Sequence, residues 1–225
     1  MNSLFVISTT IMIMLSLTDS RAFSPAASQR LGGKLRPFDP NDAPTTRLDS
    51  GALHTLENGK PYKTSHDNDS RRVLVVQDVK APKDVVLGRI MDYDNYSNMV
   101  PQTLESETYR RTSEDGRETI FSRLRTGMRG FALEFFVKST FHPTHSSVTW
   151  TLDYDKQSDI EDACGHWYVQ AHPKSPESMS RVFYSVDMVM GPSVPKVVGN
   201  FINKKAATEA TGWVKRFSEL QMATA

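Results

Sequence analysis

The chain has 225 residues, enough for one domain or for one domain with an appendage. Its 27 Lys and Arg stand against 26 Asp and Glu, a formal net charge of +1. No basic run exceeds a pair such as Arg71-Arg72, Arg110-Arg111, Lys204-Lys205 or Lys215-Arg216, which excludes the basic stripe of a nucleic-acid-binding surface. A single cysteine, Cys164, excludes an intrachain disulfide and with it a disulfide-stapled secreted scaffold.

Residues 4–17 form an apolar run without a charge. It is shorter than the roughly 20 residues that cross a bilayer and has the length of a signal-peptide core. Ser20-Arg21-Ala22 follows with small residues at the two positions that signal peptidase reads, so residues 1–22 read as a signal peptide. Residues 23–38 carry hydroxyls, alanines and basic side chains but no acid, the composition of a transit peptide. With Phe23 at the junction in Arg21-Ala22-Phe23-Ser24-Pro25, the head resembles the bipartite plastid presequence of diatoms and related secondary-plastid algae. That resemblance implies delivery to the plastid. The alternative is an ordinary signal peptide with a spacer, hence secretion. Residues 39–70 are rich in Pro, Asp, Asn, Thr and Gly without a sustained apolar period. They read as a largely disordered linker, packed at most through Leu53, Leu56 and Tyr62.

Residues 71–222 read as the folded domain. The β-branched stretch 73–79 suits a strand, and Ala81-Pro82 opens a helix with Val85, Val86, Ile90 and Met91 on its apolar side. Asp92 to Tyr96 breaks that helix and turns into a second short one, which Pro101 ends. Strands are expected over 103–112 and 118–126, joined through Ser113-Glu114-Asp115-Gly116, whose Asp-Gly pair signals a hairpin. Further strands are expected over 131–141, 147–153, 163–171 and 181–190. In 131–141, Leu133, Phe135 and Val137 share one face while Glu134 and Lys138 take the other. Asp153, Asp155, Asp159, Glu161 and Asp162 between two of these strands read as a solvated loop. Gly191-Pro192 and Pro195 then precede a helix over 194–222, about 40 Å long at 1.5 Å per residue, with Val198, Phe201, Ile202, Ala210, Trp213 and Phe217 on its apolar side.

This order describes an α+β helix-grip architecture: a curved antiparallel sheet wrapped around a long C-terminal helix, with two short helices after the first strand. The residues also carry a family resemblance. Asp78-Val79-Lys80-Ala81-Pro82, Asp92-Tyr93 with Tyr96 and Pro101, Gly165-His166-Trp167, and Pro192 with Pro195 before the last helix resemble the START-like superfamily. Within it they are similar to the polyketide cyclase/dehydrase and coenzyme-Q-binding group. The resemblance implies a hydrophobic cavity for lipids, quinones, polyketides or other apolar molecules, and no single reaction.

No catalytic set stands out. The six histidines, His54, His66, His142, His145, His166 and His172, have no G-x-S-x-G elbow beside them. His142 and His145 read as surface-loop residues without a metal-ligand partner set, and there is no Walker loop, so no metal and no cofactor are expected. Cys164 reads as a small buried strand residue. An enzyme of cyclase type would draw on Arg123, His166, Tyr184 and Asp187, with Tyr or Arg holding an enolate and His or Asp acting as base. Strand alternation instead sends Arg123 and Asp187 to solvent and makes Tyr184 part of a wall. The chain therefore reads as a non-catalytic binder or carrier of an apolar small molecule. The expected lining is Leu133, Phe135, Val137, Trp150, Trp167, Tyr184, Val198, Phe201 and Ile202, around a pocket of roughly 300–1,000 Å³. A polyketide-cyclase or dehydratase is the first alternative and a scaffold with a collapsed cavity the second. Small residues Ala206, Ala207, Ala210 and Gly212 thin the long helix, which either leaves room beneath it or lets it approach the sheet. The expected partner is an apolar small molecule, with no nucleic acid and no stable membrane span in the mature chain.

Overall fold

Period-two alternation dominates residues 62–190, and the backbone answers with one sheet. The structure is a computed structural model that describes residues 33–224 other than 45, 67, 68, 129, 130, 193 and 195, with backbone alone at 69–71, 128 and 196–208. The signal-peptide reading of residues 1–22 and the transit-peptide reading of residues 23–38 lie outside the described residues except for 33–38, which pack on the sheet. In chain order the elements are α1 (Ser50–Glu57), β1 (Tyr62–His66), β2 (Asp69–Val79), α2 (Lys83–Met91), α3 (Tyr96–Met99), β3 (Thr103–Glu114), β4 (Arg117–Met128), β5 (Phe131–His142), β6 (Ser147–Leu152), β7 (Ile160–Ala171), β8 (Ser180–Met190) and α4 (Lys196–Thr224).

The strands form one eight-stranded antiparallel sheet in the order β1-β2-β8-β7-β6-β5-β4-β3. Every neighbouring pair beyond β2·β8 is consecutive in the chain, so hairpin turns set most of the register. The β3–β4 turn is tighter than the four-residue turn expected from Ser113 to Gly116. Asp115 and Gly116 both take positive φ, 50° and 72°, which is the two-residue hairpin geometry whose twist matches the strands. Between β2 and β3, helices α2 and α3 carry the chain across the sheet's inner face. Helix α4 crosses the same face against β2 and β8.

Alternation sorts the side chains into two buried layers. On the inner face Ile120, Leu124, Val137, Trp167, Val182, Tyr184 and Val186 pack with Tyr93, Tyr96, Trp213 and Val214 from the helices. On the outer face Leu74, Val76 and Phe183 pack under Leu56 of α1. Residues 39–70 thus differ from the expected disordered linker. Asp49 caps α1 by accepting a hydrogen bond from the Ala52 amide at 2.8 Å, and β1 adds an edge strand to β2. Leu56 is 2% exposed but Leu53 is 38% exposed, so only the first of these anchors the helix. The eight residues of α1 and the five of β1 are too short to show a period in the sequence.

A buried ionic lock holds the ends of β2 and β8 together. Asp78 accepts from Arg181 Nε at 2.7 Å and from its second nitrogen at 2.9 Å, and His172 Nε2 lies 3.2 Å from the same carboxylate. The Lys174 amide donates to His172 Nδ1 at 3.2 Å, which leaves Nε2 as the protonated nitrogen facing Asp78. Lys215 of α4 joins by donating to the Asp78 carbonyl at 3.1 Å. Among the described residues no helix is long and apolar enough to cross a membrane.

Candidate functional site

Between the inner face of the sheet and α4 lies a cavity of about 240 Å³. Leu133, Phe135 and Val137 of β5 form one wall, continued by Trp150, Trp167 and Tyr184 from β6, β7 and β8. Tyr93, Tyr96, Ala210 and Trp213 close it from the helical side, and Gln102 and Glu209 stand among its polar lining residues. Its volume falls below the expected range, because three indoles and three phenols project into the space that smaller side chains would leave open. Among the described residues a space nonetheless remains between sheet and helix. Val198, Phe201 and Ile202 lie in the stretch of α4 whose side chains are outside the described residues.

The lining packs through ring contacts. Trp167 and Tyr184 are cross-strand partners with centroids 4.1 Å apart, and Trp213 meets Tyr96 edge-on at 5.0 Å. Trp150 lies over Gly165, its cross-strand partner; a Cβ at 165 would fall 2.3 Å from the indole, so only glycine lets that ring lie flat along the sheet.

The three phenols differ in their bonding. Tyr93 shares a hydrogen bond with Ser139 at 2.5 Å, and Tyr96 donates to the Ile90 carbonyl at 2.6 Å. No described residue bonds to the Tyr184 hydroxyl. Burial raises the pKa of all three, which keeps each a neutral phenol at physiological pH.

No family model matches the chain. The mitochondrial coenzyme Q-binding protein COQ10 of Saccharomyces cerevisiae is 21% identical over 154 residues, covering 64% of this chain and 74% of that protein. Among solved structures, a STAR-related lipid transfer protein from Xanthomonas axonopodis superposes with a TM-score of 0.55 at 15% identity, over 71% of this chain and 92% of that one. The Zhui aromatase/cyclase from Streptomyces sp. R1128 superposes with a TM-score of 0.54 at 13% identity, over 67% of this chain and 94% of that one. The fold is START-like. Its eight-stranded curved sheet and terminal helix are the helix-grip architecture expected from the element order.

Within this START-like frame, the four candidate catalytic residues do not converge. Tyr184 alone reaches the cavity. Arg123 points out of the inner layer and is held by Glu134 at 2.7 Å and Glu105 at 3.0 Å. Asp187 is buried on the outer face, 3.8 Å from Arg72, and not solvated as alternation suggested. His166 is also on the outer face, one residue from Trp167. It is 1% exposed, neither ring nitrogen has a hydrogen-bond partner among the described residues, and burial lowers its pKa to about 4. Cys164 is likewise buried, and desolvation pushes its thiol up to about 12.

Two further expectations are corrected. His142 is buried at the end of β5 and bonded to Thr149 at 2.9 Å, while His145 is exposed in the turn. The acidic stretch is in large part structural. Asp159 accepts from the Glu134 amide at 2.8 Å, and Asp162 accepts from Tyr154 at 2.8 Å and from the Leu35 amide at 2.8 Å. Leu124, Met188, Tyr93, Tyr96 and Trp213 line the cavity without having been expected there. Leu124 was detectable, since it shares a face with Ile120 on β4; the two tyrosines sit in short helical turns where no period develops.

Proposed function

We propose that the chain binds an apolar small molecule in this cavity and carries or presents it without covalent chemistry. One observation supports this most: an aromatic-walled cavity whose single unbonded phenol is Tyr184, with Arg123, His166 and Asp187 all on the other side of the sheet. Of the four residues expected for acid–base chemistry only Tyr184 reaches the cavity, where Gln102 and Glu209 also stand on the wall. Coenzyme Q binding and lipid transfer, named for two of the similar proteins, are of the same kind. The aromatase/cyclase likeness speaks for the container rather than the reaction.

The volume narrows the ligand class. At about 240 Å³ the cavity is smaller than the roughly 300–1,000 Å³ of drug-sized sites, which suits a ring or one short chain. A ring carrying one oxygen would place that oxygen at Tyr184 and its face against Trp167. Paired titrations with 2-naphthol and naphthalene test this. Tyr184→Phe should weaken 2-naphthol by roughly 3- to 10-fold, the worth of one net hydrogen bond of about 0.5–1.5 kcal/mol, and leave naphthalene unchanged. Equal weakening of both probes, or no binding of either by the unaltered chain, would remove the reading.

A further inference from the structure

We propose that residues 33–40 are an acid-released clasp over the outer face of the sheet, with His166 as its sensor. This segment precedes every described helix and strand, yet it is bound down at each step. The amides of Lys34 and Leu35 both donate to Asp162, the second at 2.8 Å. The Arg36 carbonyl accepts from the Arg72 guanidinium and from Cys164 Sγ at 3.5 Å. Ser147 donates to the Pro40 carbonyl at 3.3 Å. Between these anchors Phe38, 5% exposed, sits edge-on to His66 at 5.0 Å, 6.0 Å from His166, and under the Arg72 guanidinium at 4.3 Å.

The floor of this seat is where the chemistry lies. His166 is a buried imidazole with two unbonded nitrogens beneath an aromatic lid. Burial and the neighbouring histidines His66 and His142 oppose a second proton on it. His66 comes from β1, Arg72 from β2, His142 bonded to Thr149 from β5 and β6, and Cys164 and Tyr168 from β7 itself. From β8 come Ser185, already bonded to His66 at 2.6 Å, and Asp187, which faces Arg72. Asp39 of the clasp is exposed and is the only acidic neighbour whose charge favours protonation. Closed, the site therefore holds His166 neutral down to about pH 4. Open, water reaches the ring and it titrates near 6.5.

The sign follows from linkage. A histidine whose pKa is depressed in the closed state binds more protons in the open one, so closure is complete above about pH 6.5 and is progressively opposed as the pH falls to about 4. Across that window the closed-to-open ratio should fall by roughly two orders of magnitude. The cavity lies on the opposite face, so release uncovers the aromatic seat without emptying the cavity.

Hydrogen exchange of the full chain, corrected for the intrinsic effect of pH, reads this directly. Between pH 7.5 and 4.5 the protection of the Lys34 and Leu35 amides should drop by roughly 100-fold, while β7–β8 amides keep theirs. His166→Phe should keep the clasp closed at both values. Phe38→Ala should open it at both, and should move the His166 titration, followed by imidazole proton NMR, from near 4 towards 6.5. Protection that is independent of pH, or lost equally in His166→Phe, would overturn the proposal; the latter would assign release to the Asp162 anchor. If His166→Phe does not fold, the Phe38→Ala titration decides alone, and a His166 pKa unmoved by loss of Phe38 overturns the clasp.

Discussion

Ala210→Trp should abolish the binding of apolar probes while leaving the fold standing. Ala210 is half-buried on α4 and forms part of the cavity wall beside Trp213. An indole built there has one apolar space to enter, the 240 Å³ beneath it. Overfilling a core costs about 1–3 kcal/mol, but here part of the new side chain occupies empty volume and gains burial. Thermal melting should therefore shift by only a few degrees, whereas 2-naphthol affinity should fall more than tenfold. A folded variant that still binds at the original affinity would place the ligand somewhere else.

The second large effect concerns stability. Arg181→Met is expected to destabilise the chain by about 3–5 kcal/mol, because it strands the buried Asp78 carboxylate with only His172 beside it. Both members of the pair are deeply buried, at 7% and 5% exposed, so water cannot replace the lost guanidinium. Such a loss is a large share of the roughly 5–15 kcal/mol that holds a domain folded. Urea unfolding measures it. Adding Asp78→Asn to Arg181→Met should restore much of the difference, since the penalty comes from an unpaired charge more than from a lost attraction. A cost of under about 1 kcal/mol for the single variant would show that β2 and β8 are held by their ladder and apolar layers alone.

Those two sites differ in how far the sequence exposed them. The wall of β5 was legible because Leu133, Phe135 and Val137 alternate with Glu134 and Lys138, so the period marks one face. β7 carries no such mark. Every residue from Asp162 to Trp167 is buried on one side of the sheet or the other, because α1 and the clasp cover the outer face. The facing of Trp167 and His166 thus depends on residues more than one hundred positions away. Asp162 and Asp187 were misread for the same reason. An acidic side chain looks solvated until the amides of Lys34 and Leu35, or the guanidinium of Arg72, are folded onto it. In β1, the polar YKTSH has no apolar rhythm at all and becomes a strand through its ladder with β2.

Native mass spectrometry of the chain purified from the cell that makes it tests the central claim most directly. The account predicts one bound apolar, ring-bearing molecule of modest mass, retained by the unaltered chain and absent from Ala210→Trp. The bare chain mass in both, together with failure to take up 2-naphthol or naphthalene, would contradict it.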